Sequence, residues 1–141
     1  MKVYFAGAIR GGREKVYDYQ KMVKRFEDNN CNVLTKHVAD PNLSQKGEKL
    51  TPREIYDRDC KWLKEADIVF ADITIPSLGV GYEIAEAEKF MKKIYAIYEA
   101  DKNVSGFLRG DPHIEIIPYD NIDEVLDKID MICSNIKKKN C

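Results

Sequence analysis

The sequence predicts an α/β domain, a doubly wound and Rossmann-like five-stranded parallel sheet with helices on both faces. Two observations carry this. Short runs rich in Val, Ile, Tyr and Phe alternate with longer amphipathic segments along the whole chain. Several of the short runs are apolar at nearly every position, as strands covered on both faces must be. Parallel strands joined by right-handed crossovers then give the expected order 2-1-3-4-5.

The first strand is KVYFAG (2–7), bounded by glycine. A helix over 13–29 follows, with Val16, Tyr19, Val23 and Phe26 on one stripe. CNVLT (31–35) is the second strand, and the irregular stretch 36–50 after it is long enough to be a functional loop. The next helix, 51–66, opens with Thr51, Pro52 and Glu54, a capping box with proline at the first helical position. DIVFADI (67–73) is the third strand, and 81–93 the helix behind it. KIYAIYE (93–99) and IEIIPY (114–119) are the fourth and fifth strands, separated by a second irregular stretch, 100–113. A helix over 121–139 closes the chain, with Ile122, Val125, Ile129 and Ile136 on a continuous face. No linker or repeat divides these elements, so residues 1–141 are expected to form a single domain.

The composition excludes several classes. With a net charge of −1 and 33% charged residues, the chain has no basic stripe for a nucleic-acid polymer, and Lys137-Lys138-Lys139 reads as a solvated helix end. The opening KVYFAGAI is too short for a signal peptide or a membrane span. Cys31, Cys60, Cys133 and Cys141 show no C-x-x-C spacing and read as reduced thiols of a cytoplasmic protein. No His, Cys or Asp set has metal-ligand spacing, so neither a metal nor a cofactor is expected.

In this fold ligands bind beyond the carboxyl ends of strands 1 and 3, where the strand order reverses. Both glycine-rich loops fall there. GAIRGGR (7–13) offers Gly11, Gly12, Arg10 and Arg13 before a helix, either an anion cradle or a flexible turn. PSLGVGYE (76–83) offers Ser77, as a helix cap or a ligand contact, and Glu83, as an ordinary first-turn acid or an inward one. Helical counting puts Glu83 on a face with Ala87, Phe90 and Met91, which turns it inward. Asp59 lies in the middle of the stripe Ile55, Trp62, Leu63 and Ala66, where an unpaired carboxylate would be costly, so it needs a salt bridge, a cap or a task. Two inward carboxylates at one crevice fit glycosidic chemistry.

Taken together, YFAGAIRGGRE, LTKHV, DCKWLKEADIVFADITIPSLGVGYEIAEA and SGFLRG resemble the nucleoside 2-deoxyribosyltransferase superfamily. Within it they look most like the 2′-deoxynucleoside 5′-phosphate N-hydrolases, in order from residue 3 to about 110. The resemblance implies cleavage of the N-glycosidic bond of deoxynucleoside 5′-monophosphates, giving a free base and 2-deoxyribose 5-phosphate. It implies Glu83 as the nucleophile that forms a covalent glycosyl ester, Asp59 as the acid that assists leaving-group departure and water attack, and Tyr4 beside the sugar. Gly7, Ile9, Arg10, Gly11, Gly12 and Arg13 match the loop around base and phosphate, and His37 a ligand-contacting histidine. Ser77 and Gly79 match phosphate contacts, and Ser105 a serine donated across a homodimer interface to the neighbouring active site.

Three alternatives stand beside this expectation. A deoxyribosyltransferase would keep the nucleophile and pass the sugar to another base, although the C-terminal KKKNC offers no obvious carboxyl side chain to hold one. A ribonucleotide N-glycosidase acting on cytidine monophosphate would differ at the Tyr4 position. A nucleotide-binding sensor would use the same fold without turnover. A receiver domain is rejected, because Gly7, Ala8 and Ile9 stand where it needs an acid pair.

Overall fold

The computed structural model describes residues 1–140. Five parallel strands, β1 (Lys2–Ala6), β2 (Asn32–Val33), β3 (Ile68–Asp72), β4 (Lys93–Glu99) and β5 (Ile114–Tyr119), form one sheet in the order β2-β1-β3-β4-β5. This is the expected order. The helices are α1 (Val16–Asp28), α2 (Pro52–Glu65), α3 (Leu78–Lys89), the single turn α4 (Gly106–Arg109) and α5 (Ile122–Lys139).

Two cores flank the sheet. On one face Phe5, Tyr19, Phe26 and Phe70 pack edge-to-face and stacked, closed over by Ile129 and Ile132 of α5. On the other, Leu63 of α2 and Val80, Ile84 and Ala87 of α3 cover Val69, Ala71 and Ile94. Successive strand residues serve opposite cores, which explains why β3 is buried at all its positions.

Several boundaries differ from expectation for local reasons. β2 is two residues long because Thr35 leaves the ladder: its hydroxyl donates to the Phe5 carbonyl at 2.6 Å and accepts from the Phe5 N–H at 2.8 Å. The irregular stretch 36–50 begins with a 3₁₀ turn, Lys36–Ala39. The helix expected from Gly81 begins at Leu78, since the Ser77 hydroxyl caps it by accepting from the Val80 N–H at 3.3 Å. It ends at Lys89, before Met91, which has a φ of 58° and is exposed, so Met91 does not share the inward face of Glu83. The capping box of α2 forms as expected, with Glu54 N–H donating to the Thr51 hydroxyl at 3.2 Å and Thr51 N–H to the Glu54 carboxylate at 2.8 Å.

Among the described residues no helix is long and apolar enough to cross a membrane. Cys31, Cys60 and Cys133 are free thiols, and Cys141 lies outside the described residues.

Candidate active site

The two glycine loops meet. A Cβ at Gly11 would overlap the carbonyl oxygen of Pro76, so only glycine lets the loop after β1 lie against the loop after β3. At Gly7 a Cβ would stand 2.8 Å from the Tyr19 ring, whose hydroxyl accepts from the Ala8 N–H at 3.2 Å. Helix α1 thus fixes the base of the first loop from below.

Beside this junction is a cleft of about 180 Å³. Tyr4 reaches it from β1, Glu83 from the second turn of α3 and Asp59 from the middle of α2. Gly7, Ile9 and Arg10 line it from the first loop, His37 from the 3₁₀ turn, and Ser77 and Gly79 from the N-terminus of α3. Asp59, Glu83 and Arg10 also border an adjoining hollow of about 540 Å³ between α2 and α3. The acids therefore stand at the neck where the two spaces adjoin.

The contacts there are specific. The Tyr4 hydroxyl donates to Glu83 Oε1 at 2.8 Å. Burial lifts the Glu83 carboxyl to about 7; the Tyr4 hydrogen bond works against that rise and the charge of Asp59 adds to it. Burial, with the adjacent carboxylates, drives the Tyr4 phenol far above its ordinary range, so it remains a donor at every working pH. Burial also raises Asp59, while Arg58 opposes it through a 2.9 Å hydrogen bond from Nε to Oδ1. His37 is held below the usual imidazole range, again by burial. A neutral imidazole, a permanent phenol donor and two carboxyl groups lifted by desolvation make a site for proton handling and nucleophilic attack.

A profile of the family described as nucleoside 2-deoxyribosyltransferase matches residues 3–136. The chain belongs to that family. It is 40% identical over 136 residues to the 5-hydroxymethyl-dUMP N-hydrolase of Danio rerio, a match covering 91% of this chain and 94% of that one. It is 39% identical over 135 residues to a Thermofilum pendens protein provisionally named 2′-deoxynucleoside 5′-phosphate N-hydrolase 1, covering 92% and 93%. The fold is shared with the CMP N-glycosidase BcmB of Clostridium botulinum, at a TM-score of 0.72 and 22% identity over 94% of this chain and 99% of that one.

As a nucleoside 2-deoxyribosyltransferase family member, the chain brings most of the expected residues into one cleft, with four exceptions. Gly11 and Gly12 shape the first loop without lining the cleft; the Gly12 N–H turns back to the Ile9 carbonyl at 3.3 Å. Arg13 departs from the expected anion cradle, because its guanidinium donates to the carbonyls of Ala8, Val38, Leu43 and Asp40 at 2.8–3.0 Å. It is a pin between the first loop and the 36–50 stretch. Ser105 caps α4 and lines a different, larger hollow of about 520 Å³, together with Ser77, Leu78 and Phe107.

Sequence reasoning missed Glu48 and Arg58. Glu48 lines the cleft from the 36–50 stretch and accepts both terminal nitrogens of Arg58, Nη2 at 2.9 Å. The only forewarning was the length of that stretch. Spacing also hid the convergence of Glu88, Asp111 and His113, whose Nδ1 lies 3.2 Å from Asp111 and 3.4 Å from Glu88; this group is outside the cleft.

Proposed function

We propose that this protein hydrolyses the N-glycosidic bond of 2′-deoxynucleoside 5′-monophosphates, giving a free base and 2-deoxyribose 5-phosphate. Identity of 40% and 39% over most of the chain to relatives named as N-hydrolases supports the reaction type. The observation that carries the finer reading is the Tyr4–Glu83 hydrogen bond facing Asp59 in one cleft.

In this reading an ionised Glu83 oxygen attacks C1′ while the C1′–N bond breaks and its electron pair leaves with the base. Asp59 gives the departing base a proton. The resulting glycosyl ester is opened by water, which loses a proton to Asp59 as it bonds to C1′, and the ester electron pair returns to Glu83. Two inversions give overall retention. Tyr4 holds the nucleophilic oxygen in line and steadies the charge it regains. With its phenol near the sugar in this reading, Tyr4 favours substrates without a 2′-hydroxyl.

Phosphate recognition falls to Arg10, to the loop shaped by Gly11 and Gly12, and to Ser77 and Gly79 at the start of α3, where free N–H groups favour an anion. Leu78 and Phe107 are almost wholly exposed, 97% and 93%, beside the hollow that holds Ser105. The reading includes a homodimer in which a second copy covers that apolar face and Ser105 serves the neighbouring active site, and the exposed apolar pair supports it. The reading includes a cytoplasmic location, which cysteine usage without paired spacing supports.

The test is to incubate the protein with the four deoxyribonucleoside and four ribonucleoside 5′-monophosphates and follow free base by chromatography. Base release from deoxy substrates is expected; none from any of them overturns the proposal. Adding a competing free base, and finding a new nucleotide in place of sugar phosphate, would make it a transferase.

A further inference from the structure

Arg58 is the least expected residue beside the cleft. Its neighbour in sequence is Asp59, and adjacent residues on a helix point about 100° apart, so a pair at this spacing does not normally meet. Here the long side chain folds back, and Nε reaches Asp59 Oδ1 at 2.9 Å. Three further contacts hold it in that shape. Glu48 takes both terminal nitrogens, a forked pairing that fixes the guanidinium plane. The guanidinium carbon lies 4.6 Å from the centre of the Trp62 ring. Its Nη2 is 3.4 Å from His37 Nε2, and the His37 ring itself stacks towards Trp62 at 5.8 Å. All five N–H groups of an arginine lie in one plane, so fixing the Glu48 side leaves Nε aimed at Asp59.

We propose that Arg58 is a positioning residue: clamped by Glu48 and Trp62, it orients the Asp59 carboxyl towards the neck of the cleft and supplies its counter-charge. This rests on the role given to Asp59 above. The surroundings show why a counter-charge is required. Asp59 faces Glu83 from α3, Glu48 from the 36–50 stretch, Tyr4 from β1, His37 from the 3₁₀ turn and Arg10 from the first loop. Two of these are acids, Tyr4 is a neutral donor, and His37 is held neutral by burial. Arg10 carries no ion pair with Asp59, so Arg58 is the cation in contact with it. Without that contact, desolvation and the charge of Glu48 would both favour a protonated Asp59. A carboxyl group locked in its protonated form can give a proton to a leaving base and cannot take one from water. The second half of the reaction would then stall.

The experiment compares wild type with Arg58→Met, Arg58→Lys and Glu48→Gln, each checked for folding by circular dichroism. Carbon-detected NMR follows the Asp59 carboxyl across pH, and steady-state kinetics follow base release. In Arg58→Met the Asp59 midpoint should rise by about one pH unit or more, and kcat should fall about 10- to 100-fold with KM changed far less. Arg58→Lys should restore the midpoint better than kcat, because an ammonium keeps the charge and loses the forked geometry. Glu48→Gln removes a charge that raises Asp59 while it loosens the clamp, so its midpoint should lie at or below that of wild type while kcat still falls. An Asp59 midpoint in Arg58→Met equal to that of wild type overturns the inference. The NMR titration needs no turnover, so a wild-type protein that released no base would sink the proposed function and leave this result to stand or fall separately.

Discussion

Glu83→Gln should abolish base release and stabilise the fold at the same time. Glutamine keeps the shape of the side chain and an oxygen to accept from the Tyr4 hydroxyl, so the 2.8 Å bond survives. What it removes is a buried charge. The carboxyl titrates near 7 in the folded protein against an ordinary 4.5, so the folded state binds this proton more tightly than the unfolded chain does. That preference favours folding below pH 4.5 and is lost as pH rises through 7. A 2.5-unit difference at about 1.4 kcal/mol per unit sets an upper bound of about 3.5 kcal/mol for the penalty carried by ionised Glu83 above pH 8. Relaxation and water at the cleft mouth reduce this to about 1–3 kcal/mol. For a chain of this length the gain in Tm should be roughly 3–10 °C at pH 8.5. Thermal unfolding of both proteins from pH 4 to 9 checks it, alongside base release, expected to fall about 10³-fold or more. The gain must shrink to nothing towards pH 4.5. A variant no more stable than wild type at pH 8.5, or a gain that is flat with pH, would refute the claim that Glu83 is held ionised against its surroundings.

Three further outcomes follow from the same geometry. The kcat/KM of wild type should fall below pH 7 as Glu83 takes up its proton, and Tyr4→Phe, which deletes the bond that favours the carboxylate, should move that limb upward and cut kcat about 10-fold or more, read from pH–rate profiles. Deoxyguanosine 5′-monophosphate should be turned over far faster than deoxyguanosine under the proposed assignment of phosphate binding to the α3 N-terminus and the first loop; equal rates would remove that assignment. Arg13→Met should cost about 2–3 kcal/mol in urea unfolding, because it strands the carbonyls of Ala8, Val38, Leu43 and Asp40.

How much of this was legible in the sequence depended on whether a feature was periodic. β4 and β5 fall where their apolar runs end at turn residues, and the sheet order follows from alternation. The inward placement of Glu83 and Asp59 could be counted, because each lies on a helix whose apolar stripe is long enough to set a phase. Counting failed where a side chain ended an element. Nothing in the pattern announces that Met91 takes a left-handed conformation and closes α3 by letting the Lys92 N–H bond back to Ala87 at 3.0 Å. Nor does it announce that the Thr35 hydroxyl replaces a ladder bond of β2. Arg13 looked like an anion ligand on type and place, yet four carbonyls occupy it, a fact set by where the 36–50 stretch lies.

That stretch also explains how the cleft divides its labour. Tyr4, Asp59 and Glu83 hang from an interior strand and two capped helices, elements whose backbone is fixed by packing on the sheet. Glu48 comes from irregular chain, and what holds it is chemical: the Arg58 fork on one side and, through the same stretch, the Arg13 pin on the other. A reacting carboxylate must be placed to within a fraction of an ångström, which rigid elements supply. Glu48 ties the irregular chain to that placement, because through Arg58 it bears on Asp59. Exchanges between Lys36 and Leu50 that spare His37 and Glu48 should therefore leave the Asp59 carboxyl in place, whereas exchange of Glu48 should not.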